Sequence, residues 1–172
     1  MIKLMNKTSI IPSKNSENGS LLLDVPRELV QIPEWLSVFG TTSGFKLKDE
    51  YHVTVIGLEL AEYIQKHGKN SQVESLIDDF AWTIEISNDY AELAKDDENG
   101  IHRQSIICFV KIPELTQFYK DLINIIEMSI NYPPTHITLY TKNYDRGIGL
   151  YSQSDLTKFK VRDLLGSSKL IH

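Results

Sequence analysis

The chain has 172 residues, 41% apolar and 24% charged, enough to bury one core as a single domain or as two tightly joined lobes. Its net charge of −5 excludes a globally basic surface of the kind that grips long nucleic acid, and leaves room for a small nucleotide or an RNA end held in a local pocket. A single cysteine, Cys108, excludes an internal disulfide and a cysteine-based metal site, and no run approaches the roughly 20 apolar residues of a membrane helix.

In chain order, residues 1–20 read as an N-terminal segment and a polar surface loop from Pro12 to Ser20, and residues 21–172 as one two-lobed domain. Leu21-Leu22-Leu23 reads as a strand, and Pro26 to Trp35 as a helical stretch interrupted near Pro33. Gly40 to Gly44 reads as a turn, followed by a strand from about Phe45 to Ile56. Two amphipathic helices come next, one carrying Leu60, Ala61 and Ile64 and the other Val73, Leu76, Ile77 and Phe80, with a break at His67 to Asn70. Trp82 to Ile86 alternates as a half-buried strand, and Lys95 to Gly100 marks an exposed turn.

A strand from about His102 to Lys111 contains the apolar run Ile106 to Val110, in which Cys108 is a core side chain. Pro113 opens a helix whose apolar stripe is Leu115, Phe118, Tyr119, Leu122, Ile123 and Ile126. Tyr132-Pro133-Pro134 ends it and leads into a strand at His136; beyond that strand lie a turn at Asp145-Arg146-Gly147 and a short strand from Ile148 to Tyr151. The spacing Gly147-Ile148-Gly149 is not a phosphate-binding loop, since a further glycine and a helix after it are missing.

Two tetrapeptides in this order repeat one pattern: His52-Val53-Thr54-Val55 and His136-Ile137-Thr138-Leu139, 84 residues apart. Side chains two apart on a strand share a face, so each stretch presents an imidazole and a hydroxyl together while its apolar residues enter a core. Two such pairs facing each other supply two proton-transfer groups and two neutral donors around one small anion.

On these residues, their separation and the helix-strand-strand-helix order between them, the chain resembles the two-histidine phosphoesterase superfamily, which includes RNA 2′,3′-cyclic phosphodiesterases and 2′,5′ RNA ligase-like proteins. The resemblance covers about Leu21 to Tyr151 and implies an α+β, bilobal fold: two antiparallel sheets related by a pseudo-twofold axis around a central cleft, with helices outside. It implies His52 and His136 as the catalytic histidines and Thr54 and Thr138 as the phosphate-binding hydroxyls. Bacterial RNA-processing members carry an arginine just after the second motif, where this chain reads Tyr140-Thr141-Lys142.

Tyr140 and Lys142 share strand parity with His136 and Thr138, which makes Tyr140 a candidate for stacking on a base and Lys142 a replacement for that arginine. Arg103 and Ser105 share one face of the preceding strand and are further candidates for substrate contact. No metal or other cofactor is expected, because two histidines without a carboxylate at ligand spacing make an incomplete zinc site.

The expected activity is a metal-independent phosphodiesterase acting on a 2′,3′-cyclic phosphate or a 2′,5′-linked nucleotide or oligonucleotide. Two alternatives stay open: a defence antagonist that cleaves cyclic or 2′,5′-linked signalling nucleotides, and a nucleotide-binding module without turnover. The expected setting is cytoplasmic, as a monomer, with a small nucleotide or RNA end as partner and neither long nucleic acid nor membrane.

Overall fold

A computed structural model describes residues 8–14 and 19–165, and the fold is α+β with two antiparallel sheets. The strands are β1 (Thr8–Ser9), β2 (Ile11–Lys14), β3 (Leu21–Val25), β4 (Lys46–Leu47), β5 (Tyr51–Ile56), β6 (Thr83–Asp96), β7 (His102–Lys111), β8 (His136–Lys142) and β9 (Lys160–Leu164). The helices are α1 (Glu34–Thr42), α2 (Leu58–Lys66), α3 (Asn70–Asp78), α4 (Leu115–Ile126) and α5 (Gln153–Phe159). The larger sheet runs β1-β6-β7-β8-β4, with β9 also on β6, and the smaller runs β2-β3-β5.

Alternation explains most of this. Leu21, Leu23 and Val25 of β3, and Tyr51, Val53 and Val55 of β5, are buried on one face of the small sheet. They meet Ile106, Ile137 and Leu139 of the large sheet and Leu36, Phe118 and Leu122 of the helices in one main core. The other face of the large sheet carries a smaller apolar cluster, Ala91, Leu93, Ile107, Ile148 and Leu150, with Phe109, Leu156 and Phe159 against it. Segment 148–159 therefore covers this second face.

Several expectations are corrected. The expected loop from Pro12 to Ser20 begins as a strand: β2 pairs with β3, and Pro12 is tolerated there because an edge strand needs hydrogen bonds on one side only. Residues 15–18 of that loop lie outside the described residues. Pro33 does not interrupt a helix but precedes one, since its fixed φ and absent N–H suit the entry to α1. That helix runs on through Gly40, and the turn comes only at Ser43 and Gly44, whose φ of +77° favours glycine.

The expected strand from Phe45 to Ile56 is two strands in different sheets. β4 pairs with β8 and β5 with β3, and the chain crosses between sheets at the polar residues Lys48-Asp49-Glu50. β6 is longer than its alternation suggested because a register shift between Ile86 and Tyr90 absorbs Ser87-Asn88-Asp89, with Ser87 Oγ donating to Phe109 O at 2.7 Å and accepting from Asp89 N at 3.0 Å. Residues 148–151 are not a paired strand. β9 and α5 had no strong periodicity, although Ser152 and Asp155 carry an N-cap signal, and Ser152 Oγ accepts from Asp155 N at 3.1 Å.

Candidate functional site

The first motif lies on β5. Val53 is fully buried while His52 and Thr54 are exposed on the opposite face, as alternation requires. Asp24 of β3 stands directly across from His52, and Ser13 Oγ donates to Asp24 Oδ1 at 2.8 Å. The pKa of His52 is held below its ordinary value. Loss of hydration is the main cause and the Lys48 ammonium adds to it, while Asp24 and Glu50 pull the other way.

The second motif lies on β8. His136 is opposite Phe109 and Thr138 opposite Ile107, and directly paired residues share a face, so both point to the second face of the large sheet. His136 Nδ1 lies 3.0 Å from Pro134 O. In the neutral tautomer Nδ1–H donates to that carbonyl and the Nε2 lone pair is left for a substrate. Burial lowers the pKa of His136, and charge on His52 lowers it further, against the Pro134 carbonyl. Strands β5 and β8 lie against each other, so the two histidines sit within electrostatic reach.

Both motif strands carry a β-bulge at the same offset, immediately after the threonine. On β5 the pairing steps from Thr54 to Ile56 while β3 moves one residue, Leu22 to Leu21; on β8 it steps from Thr138 to Tyr140 while β7 moves one residue, Ile107 to Ile106. Val55-Ile56 and Leu139-Tyr140 are thereby all buried. Two apolar residues in succession after each threonine were the legible sign of this.

The second bulge corrects two candidates. It reverses the parity of β8, so Tyr140 pairs with Ile106 and enters the main core, away from His136 and Thr138. Its ring lies against α1, where a methyl group at Gly40 would stand 2.9 Å from Cε1. Lys142 is on that same reversed side, with its Nζ donating to Ser43 O at 2.9 Å. Neither shares the face of the second motif. Thr141, buried opposite Ser105, is the next side chain on it.

Arg103 and Ser105 are near the site but face a loop. Ser105 is fully buried and its Oγ accepts from Ile148 N at 3.2 Å. Arg103 Nη2 donates to Arg146 O at 3.0 Å and Gly147 O at 2.9 Å, and its guanidinium lies 4.1 Å from the centre of the Tyr144 ring. The segment so held passes against Thr138: a methyl group at Gly147 would stand 2.5 Å from Thr138 Oγ1. Arg103 and Ser105 thus hold the segment that lies over Thr138.

Three neighbours were missed by sequence reasoning. Asp24 is found only through the β3–β5 register. Lys48 continues the line of β4, its N–H donating to Leu139 O at 2.9 Å and its Nζ to Asp145 O at 2.8 Å, and Lys46-x-Lys48 alternation was its only signal. Tyr151, about half exposed, spans from Gly57 at the end of β5 to Gly149.

The other described histidines have local partners: His67 Nδ1 lies 2.9 Å from Tyr63 O, and His102 Nδ1 2.6 Å from Asp96 Oδ1. Tyr51 and Tyr90 are buried in the core. Among the described residues no group of three or more His, Cys, Asp or Glu side chains is gathered as metal ligands are. No described helix is long and apolar enough to cross a membrane. A cavity of about 850 Å³ lies apart from the histidines, lined by Leu21, Ile56, Ala61, Val73 and Ile77 of the small sheet and helices α2 and α3. Compared with protein-family models, curated proteins and solved structures, the chain matches none.

Proposed function

We propose that this chain is a phosphodiesterase that works by paired-histidine acid-base chemistry, without a metal, on a 2′,3′-cyclic phosphate or a 2′,5′-linked nucleotide. One observation carries the reading: His52 and His136 stand on neighbouring strands within electrostatic reach, each with a threonine two residues on and a bulge after it.

The two histidines differ in surroundings, and this divides the roles. His136 has its Nδ1 against a carbonyl and no carboxylate opposite it in the sheet, which suits a neutral base acting through Nε2. His52 has Asp24 across the ladder, which suits the protonated partner. A water oxygen bonds to phosphorus as the bond to the leaving ribose oxygen breaks. His136 takes the proton from water and His52 gives one to the leaving oxygen, each group contributing about 10²- to 10⁴-fold. The hydroxyls of Thr54 and Thr138 donate to the non-bridging oxygens and hold the phosphate as its charge redistributes. Tyr151 offers a ring for a base to stack on.

The test is a panel of 2′,3′-cyclic nucleotides, 2′,5′-oligoadenylates and cyclic dinucleotides incubated with excess EDTA, beside His52→Ala and His136→Ala. Turnover that survives EDTA and is lost in both variants supports the reading. Activity abolished by EDTA defeats the metal-free scheme, wild-type rates in either variant defeat the pairing, and binding without turnover of every substrate favours a binding module.

A further inference from the structure

We infer that the site continues into a second anion subsite, built on Lys46 and Lys48, that receives a phosphate other than the one attacked. The substrate is then a nucleotide with at least two phosphates, such as a dinucleotide ending in a cyclic phosphate, rather than a mononucleotide. The inference rests on the phosphodiesterase reading only for the identity of the neighbouring phosphate.

Three observations carry it. First, Lys46 is paired with Thr141, which lies on the same face of β8 as Thr138, and alternation puts Lys48 on that face too. Second, a pocket of about 560 Å³ opens at this end of β8, with Lys46, Lys142, Asp145 and Arg146 in its lining. Asp145 joins it to the candidate site, because its carbonyl accepts from Lys48 Nζ at 2.8 Å and Lys48 is close enough to His52 to act on its charge. Third, this corner is cationic in an otherwise acidic chain: the pocket's lining holds three basic residues, Lys46, Lys142 and Arg146, and one acidic residue, Asp145, whereas the whole chain has 18 basic and 23 acidic residues.

The cations are available in part. An ammonium has three donors, and Lys48 commits one of them to Asp145 O. Lys46 reaches the Asp145 carboxylate at only 3.8 Å with both side chains largely exposed, a contact that water and salt weaken and that a phosphate displaces. Neither Asp24 nor Glu50, the carboxylates that act on His52, is among the residues lining this pocket.

The experiment compares a 2′,3′-cyclic mononucleotide with a dinucleotide ending in the same cyclic phosphate, in wild type, Lys46→Gln, Lys48→Gln and the double variant. The dinucleotide is expected to be preferred in kcat/KM by about tenfold at low salt, with the preference lost in the double variant and eroded as salt is raised. Calorimetric titration of the dinucleotide into His136→Ala protein, with and without the two lysine changes, reads the subsite without chemistry, and a rise in Kd of about tenfold is expected. Turnover with no preference and a Kd indifferent to the lysines overturns the subsite and leaves the phosphodiesterase reading standing. Absence of turnover with a lysine-dependent Kd overturns that reading and leaves the subsite.

Discussion

Gly147 lies so close to Thr138 that a methyl group on it would stand 2.5 Å from the threonine hydroxyl oxygen and 3.1 Å from its methyl. No real Cβ tolerates that approach, so either the 147–148 segment or the Thr138 side chain must move when one is added. Gly147→Ala is therefore expected to cost about 1–3 kcal/mol in urea unfolding, as overpacking does. It is also expected to raise KM by turning the hydroxyl. In the Thr138→Ala background the same change should cost clearly less, because the two sites share one contact.

Removing the loop's tether tests the same wall from behind. Arg103→Lys keeps the charge but loses the fork that reaches two carbonyls, those of Arg146 and Gly147. A rise in KM with kcat little changed is expected, together with faster amide exchange in segment 144–148. Loss of kcat with unaltered exchange would assign Arg103 to the substrate instead.

Both histidines are held below their ordinary value of 6.5, His136 by burial first and His52 by lost hydration first. The pair needs one proton between its two members, and both of its titrations are displaced downward, so kcat/KM is expected to peak on the acid side of 6.5 and fall about tenfold per unit on the alkaline limb. Asp24→Asn removes an influence that raises the His52 value, so the alkaline limb should move to still lower pH. Proton NMR titration of the His52 ring checks this directly.

The lowered His136 value also has a stability consequence. Below 6.5 the unfolded chain takes up a proton at this residue that the folded chain refuses, so stability is fully present above 6.5 and declines as pH falls toward the folded value. His136→Gln is expected to flatten the fall in the urea midpoint between about pH 7 and about pH 5. An unchanged slope would mean that His136 is not the group buried neutral.

Tyr140 separates packing from chemistry. Its ring fills the space above Gly40 in the main core, so Tyr140→Phe is expected to leave activity within about twofold, whereas Gly40→Ala should cost about 1–3 kcal/mol because its methyl group meets the ring at 2.9 Å. A large activity loss in Tyr140→Phe would return the hydroxyl to the site.

The two His-x-Thr stretches were legible because alternation is a local property of an extended backbone: Val53 and Ile137 fully buried between their polar neighbours needed no knowledge of the rest of the chain. The same holds for β7, which runs from His102 to Lys111 as expected, and for the stripe of α4 apart from Ile123, which is only half-buried. The course of each strand beyond its threonine was not legible in that way. Whether Tyr140 continues the face of Thr138 depends on the hydrogen bonds that β7 makes, and a bulge admitted by that partner reversed it, sending Tyr140 and Lys142 to the other side.

Register likewise brought Asp24 to His52 from 28 residues away and Lys46 to Thr141 from 95 residues away, and it turned Arg103 and Ser105 toward the 144–148 segment. The sequence by itself determined which side chains of each motif share a face, since that follows from the two-residue repeat of one strand. Only the tertiary structure decided which faces meet, because pairing partners, bulges and the loop held over Thr138 are set by contacts between segments distant in the chain.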